Sequence, residues 1–208
     1  MAENGSSINT TNGNQEVSGR NKSSNSLPNN NNKLNGSFPV VGIGASAGGL
    51  DALEKFFSAV PTDTDIGMAF AVVQHLAPDH KSLLSEIIER YTSMEVSQVK
   101  DGMAVESNHV YIIPPNRDMI ITNGILHLME PAQPRGYRSP IDIFFRSLAS
   151  DQKEMAIGIV LSGTGSDGEQ GVRAIKGEGG LVMVQNPEPA NTPVCPWVLL
   201  KQVLWTIL

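Results

Sequence analysis

The sequence has a single cysteine and comparatively few basic residues. With Cys195 alone, no disulfide can form within the chain, and this usage is typical of a reducing compartment. Fifteen Lys and Arg against 21 Asp and Glu give a formal net charge of −6. A nucleic-acid-binding protein is expected to carry a basic face, so the charge balance argues against DNA or RNA as a ligand.

Long hydrophobic runs and a leader sequence are also missing. No apolar run approaches the roughly 20 residues of a membrane span, and the first residues lack a basic region followed by an apolar stretch. We therefore expect a cytoplasmic protein with no membrane span. Its 208 residues are enough for one sizeable core and few for two.

Apolar residues are scarce in residues 1–37, which are dominated by Asn, Ser and Gly, with Asn29–Asn32 as the extreme case. Such a segment buries too little apolar surface to offset its ordering entropy, so we predict a disordered tail. The folded domain is expected over residues 38–190.

From residue 38 onwards, apolar runs with strand character alternate with segments of helical periodicity. Continuous apolar runs such as Ile66–Val73 suit a parallel sheet covered on both faces. Asn123-Gly124 between two alternating runs is a strong hairpin signal. The pattern predicts an α/β fold: a doubly wound, mostly parallel, Rossmann-like three-layer sheet with a small β-hairpin insertion. The first predicted strand begins at Val40 and stops at the glycines that follow. The other predicted strands are Ile66–Val73, Glu95–Val99, His109–Ile113, Met119–Thr122, Ile125–Met129, Ala156–Leu161 and Gly180–Gln185. The predicted helices are Leu50–Phe57, one centred on Ser82–Tyr91, Ile141–Ala149 and one that opens with Glu169–Lys176.

The stretch Val40–Leu50 combines a strand, a glycine-rich turn, a serine and the start of a helix. This geometry holds a serine hydroxyl out at the end of a sheet, beside the N–H groups of a helix N-terminus. In a structural alternative, the glycines only let strand and helix pack closely and Ser46 only caps the helix.

Three polar residues fall at or near the carboxyl ends of predicted parallel strands: Ser46, His75 and Asp167. Ligands of open α/β sheets bind at that edge. A nucleophilic serine needs a general base, and a histidine base needs a carboxylate to fix its tautomer, so all parts of an acyl-transfer site are present. Alternatively, His75 only bonds a nearby carbonyl and Asp167 only caps the helix that follows it.

The remaining histidines are not predicted to take part in catalysis or metal binding. His80 is expected at the surface, and His109 and His127 are expected to be structural or exposed. His75 and His80 have poor spacing for metal ligation, and no acidic cluster supports zinc.

A rival interpretation is dinucleotide binding, because Gly42–Ala47 fits the G-x-G-x-x-A fingerprint. That function requires an acidic residue about 20 positions further on, at the end of the second strand. Here the second strand ends in Gln74-His75, which weakens the rival.

Four motifs in order resemble the catalytic domain of the CheB-type chemotaxis protein-glutamate methylesterases, closest to the form fused to a CheR-type methyltransferase. They are Gly42–Gly49, Val73–Leu76, Tyr111–Asn116 and Leu161–Gly168. The resemblance, over residues 38–190, implies that Ser46 is the nucleophile, His75 the base and Asp167 its orienter. It also implies hydrolysis of γ-glutamyl methyl esters on chemoreceptor helices, deamidation of receptor glutamines, and no metal or organic cofactor. Backbone N–H groups near Ala47 and Thr164 are our candidates for the oxyanion hole.

The chain departs from this family at both ends. Members of the response-regulator type carry a receiver domain where this chain has its Asn-rich segment, so we expect no phosphorylation control in cis. Residues 191–208 replace the expected Gly-Met-Pro, helix and strand. Read two nucleotides later, codons for Pro193–Pro196 can give Gly-Met-Pro, which favours a frameshift; a divergent apolar end is the alternative. An inactive fragment acting as a docking module is the alternative function.

Overall fold

The structure is a computed structural model that describes residues 38–45, 49–74, 83–134, 137–161 and 167–185. The predicted tail (1–37) and the atypical C-terminal segment (191–208) lie outside the described residues. Both assignments stay predictions.

Strands and helices alternate along the described chain, as the periodicity predicts. The strands are β1 (Val40–Ala45), β2 (Ala69–Gln74), β3 (Glu95–Gln98), β4 (Met103–Ala104), β5 (His109–Ile112), β6 (Asp118–Thr122), β7 (Ile125–Met129), β8 (Ala156–Val160) and β9 (Leu181–Val184). The helices are α1 (Leu50–Ser58), α2 (Leu84–Ile88), α3 (Pro140–Gln152) and α4 (Glu169–Gly177).

The main sheet is parallel throughout, with the strand order β3-β5-β2-β1-β8-β9. A second, antiparallel sheet has the order β4-β7-β6. The predicted doubly wound α/β fold with a hairpin insertion is therefore confirmed. The chain winds from β1 towards β2 on one side and towards β8 on the other, so the topological switch point lies beside β1. Ligands of such sheets bind at that point.

Helices cover both faces of the sheet. Alternate residues of the central strands therefore belong to two separate hydrophobic cores. On β2, Ala71 and Val73 face one core, and Phe70 and Val72 face the other. Each strand therefore needs apolar residues at nearly every position, and β1 and β2 are buried along their whole length.

Helix α3 lies against β1 because β1 has glycines where larger residues would collide. A Cβ built at Gly44 would lie 2.5 Å from Ile141 Cγ2, and one at Gly42 would lie 2.8 Å from Phe145 Cε1. The opposite side of α3 holds the small sheet, since the Ser147 hydroxyl accepts a 3.0 Å hydrogen bond from the Ile121 N–H.

Several element boundaries differ from the prediction; α2, for example, ends at Ile88 and not at Tyr91. Two differences have clear local reasons. β2 begins at Ala69 and not at Ile66, because Gly67 has a φ of +64° and the N–H groups of Ile66 and Gly67 bind the Asn108 side chain. β4 was not predicted, since two residues are too few to show a periodicity. The Asn123-Gly124 turn is confirmed, with φ of 53° and 70°.

Candidate active site

The strands that precede the three predicted catalytic residues are neighbours in the order β2-β1-β8. Ala45 and Gln74, the last residues of β1 and β2, are register partners. On the other side of β1, the Leu161 N–H donates to the Gly44 carbonyl at 2.9 Å. The chain segments that leave these strands therefore start side by side at the switch point.

Of the five residues nominated from the sequence, Asp167 lies within the described residues. Ser46, Ala47, His75 and Thr164 lie outside them. The catalytic assignments therefore stay predictions, and the geometry that can be stated is that of Asp167 and of the strand ends.

Asp167 binds the N-terminus of a helix that is distant in sequence. Its Oδ2 accepts a 3.1 Å hydrogen bond from the Ile141 N–H, and its Oδ1 accepts a 2.9 Å bond from the Asp142 N–H. The first N–H groups of a helix have no partner within the helix, so this carboxylate satisfies two of them in α3. The two bonds also fix the carboxylate in orientation.

The interpretation of Asp167 as the cap of its own helix is wrong. The N-cap residue of α4 is Gly168, and the two hydrogen bonds described for Asp167 go to α3. Gly168 has a φ of +101°, which L-residues rarely adopt, and a Cβ at this position would lie 3.1 Å from Ile141 Cγ2. Glycine therefore permits the sharp turn that points Asp167 at α3 rather than at α4.

A second carboxylate ties α3 to α4. Asp142 Oδ1 accepts a 2.7 Å hydrogen bond from the Gly171 N–H. The helices are in close contact there, since a Cβ at Gly171 would lie closer than 3.0 Å to Phe145 Cβ. This contact between α3 and α4 was not predicted. Its signal in the sequence is a glycine inside a helix, which lowers helix propensity and points to close packing.

The alternative in which Ser46 only caps the helix concerns a residue outside the described ones, so it stays open. The N-cap residue of α1 is Gly49, three residues after Ser46, and it makes no side-chain cap bond. The other half of that alternative, close packing of the strand on the helix that follows it, is wrong for Gly42 and Gly44, because both face α3 and not α1.

The dinucleotide interpretation finds no support in the position of its glycines. In that fingerprint the first glycine forms the tight turn after the strand and the second lets the backbone approach the pyrophosphate. Here Gly42 and Gly44 lie inside β1, buried beneath α3.

The two described histidines lie away from the carboxyl edge. His109 begins β5 at the opposite edge, is 8% exposed and stacks on Tyr111 with ring centroids 4.3 Å apart. His127 lies in β7, and its Nδ1 is 3.7 Å from Asp101 Oδ1. The expectation that both are structural or exposed is confirmed. Within the described ranges, no group of three or more His, Cys, Asp or Glu is placed to hold a metal ion.

Comparison with models of protein families matches residues 41–205 to the CheB methylesterase family. The chain belongs to this family. A relative from Leptospira interrogans is 28% identical over 160 residues, which cover 76% of this chain and 82% of that protein. The Methanosarcina acetivorans protein-glutamate methylesterase/protein-glutamine glutaminase 2 is 33% identical over 154 residues, 70% of this chain and 43% of that protein. The family resemblance drawn from the motifs is confirmed.

The fold has a solved counterpart in this family. The catalytic domain of the Thermotoga maritima CheB methylesterase superposes with a TM-score of 0.65 at 24% sequence identity, covering 80% of this chain and 89% of that one. The named relatives are carboxylic ester hydrolases. None of the helices in the described part of the chain is long and apolar enough to cross a membrane.

Proposed function

We propose that this protein is a protein-glutamate methylesterase that hydrolyses glutamate methyl esters on chemoreceptor helices during chemotactic adaptation. In this proposal Ser46 is the nucleophile, His75 the general base and Asp167 the residue that orients His75. The pairing of Ala45 with Gln74 carries the proposal, because Ser46 and His75 follow these two residues directly in the sequence. A cytoplasmic location, and a CheR-type methyltransferase that installs the esters, belong to the same proposal.

The reaction proceeds in two halves. Ser46 Oγ attacks the ester carbonyl while His75 accepts its proton, and the tetrahedral intermediate expels methanol, which takes that proton. Water, deprotonated by His75, then attacks the acyl-enzyme and releases the glutamate carboxylate with Ser46 restored. The N–H groups near Ala47 and Thr164 are proposed to bind the oxyanion; losing one such donor typically costs on the order of a hundredfold in rate.

Asp167 is suited to its role because contacts with the backbone of α3 hold its carboxylate in one position. Two backbone N–H groups hold the carboxylate, one on each oxygen. Each carboxylate oxygen can accept more than one hydrogen bond, so these two bonds are compatible with another from a histidine N–H.

The same site chemistry extends to glutamine. A side-chain amide would form the same acyl-enzyme with ammonia as the leaving group, and water would again yield glutamate. The names of relatives such as the Myxococcus xanthus protein include this second activity. We propose it here as a slower reaction, since an amine leaves less readily than an alcohol.

Methanol release from a carboxyl-methylated receptor fragment tests the proposal. Ser46→Ala should abolish release, whereas Ser58→Ala should leave it unchanged, because Ser58 lies at the far end of α1 and bonds the Lys55 carbonyl. Thermal unfolding of each variant shows that it is folded. Serine-independent turnover would refute the triad.

No release by a folded wild-type protein would favour the docking-module alternative. In that case the gene sequence decides the next step: codons for residues 193–196 that cannot give Gly-Met-Pro in the shifted frame would rule out the frameshift.

A further inference from the structure

Arg138 is held in place by two neutral acceptors just before helix α3. Its Nε donates to the Gln133 carbonyl at 2.7 Å, and its Nη1 donates to Asn116 Oδ1 at 2.7 Å. Two bonds to one planar guanidinium fix its orientation as well as its position. The side chain is thus ordered before any ligand arrives.

Its charge has no carboxylate partner in the part of the chain that the structure describes. Arg117 pairs with Glu130 at 3.2 Å and Arg173 pairs with Glu169 at 2.9 Å. No such ion pair is formed by Arg138, whose two described partners are neutral. A guanidinium has five N–H donors, and those two bonds use two of them.

The position of Arg138 is at the rim of the candidate active site. It precedes Ile141 by three residues, and the Ile141 N–H binds Asp167; three residues of chain span at most about 11 Å. Its partner Asn116 lies in the loop that leaves the carboxyl end of β5. The neighbouring Tyr137 is 79% exposed, so this rim is open to solvent.

We propose that Arg138 binds a carboxylate of the substrate protein beside the ester being hydrolysed, and thereby sets the preference for acidic substrate segments. The inference rests on the proposed function, whose product is itself a glutamate. A partly hydrolysed segment therefore carries carboxylates next to its remaining esters. A planar, oriented guanidinium binds a carboxylate through two parallel hydrogen bonds, which a neutral amide cannot match.

Two synthetic helical peptides, each with one glutamyl methyl ester and flanked by either Glu or Gln, test the inference. The wild-type full-length chain should show a kcat/KM about fivefold higher for the Glu-flanked peptide, chiefly through KM, and added salt should reduce this ratio. Arg138→Gln should bring the ratio to one and leave the Gln-flanked peptide almost unaffected.

Arg146→Gln is the matched control, because it removes the same charge from an exposed position further along α3. It should keep the fivefold ratio. Asn116→Ala retains the Arg138 charge but removes one of its two anchors, and should lower the ratio only in part.

A purely structural Arg138 gives a different result. If Arg138 only ties two loops together, Arg138→Gln lowers turnover of both peptides equally and the ratio persists, which overturns the inference. A wild-type ratio of one overturns it as well. Direct binding of the ester-free Glu- and Gln-flanked peptides to Ser46→Ala gives a readout without catalysis. A preference there that needs Arg138 supports the inference even if the esterase proposal fails.

Discussion

Replacing Gly171 by alanine would place a methyl group where helices α3 and α4 touch. The new Cβ would lie closer than 3.0 Å to Phe145 Cβ and 3.3 Å from Asp142 Cα. Neither atom is the far end of a flexible side chain, so the helices themselves must separate. That movement also stretches the 2.7 Å bond from the Gly171 N–H to Asp142.

The change in the free energy of unfolding is the sum of two destabilising effects and one stabilising effect. Overpacking of this kind costs about 1–3 kcal/mol, and the weakened hydrogen bond about 1 kcal/mol more. The gain in helix propensity from glycine to alanine returns about 0.5–1 kcal/mol. We expect a net destabilisation of about 2 kcal/mol, which corresponds to a fall in Tm of roughly 4–8 °C for a domain of this size.

Gly177→Ala is the matched control within the same helix, since nothing lies within 4 Å of a Cβ at Gly177. Only the propensity term remains there, so this variant should be more stable than the wild type by about 0.5 kcal/mol. Urea unfolding of the three proteins gives the comparison. A free energy of unfolding for Gly171→Ala equal to or above that of the wild type would refute the close-packing argument.

Gly171→Ala should also lower the rate of ester hydrolysis, and this effect can be measured apart from the loss of stability. Moving α3 displaces the Ile141 and Asp142 N–H groups that hold Asp167. We therefore expect ester hydrolysis, measured well below the Tm, to fall about tenfold, since misplaced catalytic groups lose rate steeply. Full activity in a destabilised variant would show that Asp167 does not depend on this helix contact.

Three further predictions concern the small sheet and its surroundings. Tyr111→Phe should cost about 1–3 kcal/mol in urea unfolding, because the phenol donates to the Ala104 carbonyl and accepts from the Glu106 N–H. Burial raises the pKa of Tyr111, so the folded state holds the phenol proton more tightly than the unfolded state. The contribution of Tyr111 to the free energy of unfolding is therefore complete below about pH 10 and is lost as the pH rises through the pKa of the folded state. That alkaline loss should be absent from Tyr111→Phe. Asp151→Ala should cost about 1–2 kcal/mol, because its carboxylate accepts the N–H groups of Asn123 and Gly124, while a wild-type midpoint would contradict a role for this contact.

Local pattern in the sequence was enough to predict nearly all of the elements. The central strands β1 and β2 are runs of apolar residues, because both of their faces are covered, and the helices show the 3.6-residue period. Asn123-Gly124 identified the hairpin, since both residues adopt positive φ. Among the strands the exception was β4, whose two residues show no period and pair only because β7 lies beside them.

The edge of the sheet that carries the predicted site followed from the sequence as well. Ser46, His75 and Asp167 follow strands that the periodicity identifies, and parallel strands place their carboxyl ends at one edge. The sequence could not determine what Asp167 contacts, because a residue before Gly168 and a helix has an ordinary local role as a cap.

Tertiary packing decided those contacts. Asp167 binds N–H groups 26 and 25 residues away, and Arg138 binds Asn116 at a separation of 22 residues. Periodicity fixes which face of a helix is buried, but the depth at which α3 lies on β1 is set by the glycines of β1 and α4. That depth brings the N-terminus of α3 to the Asp167 carboxylate. The glycines signal close packing in the sequence, but the sequence does not say which element packs against them.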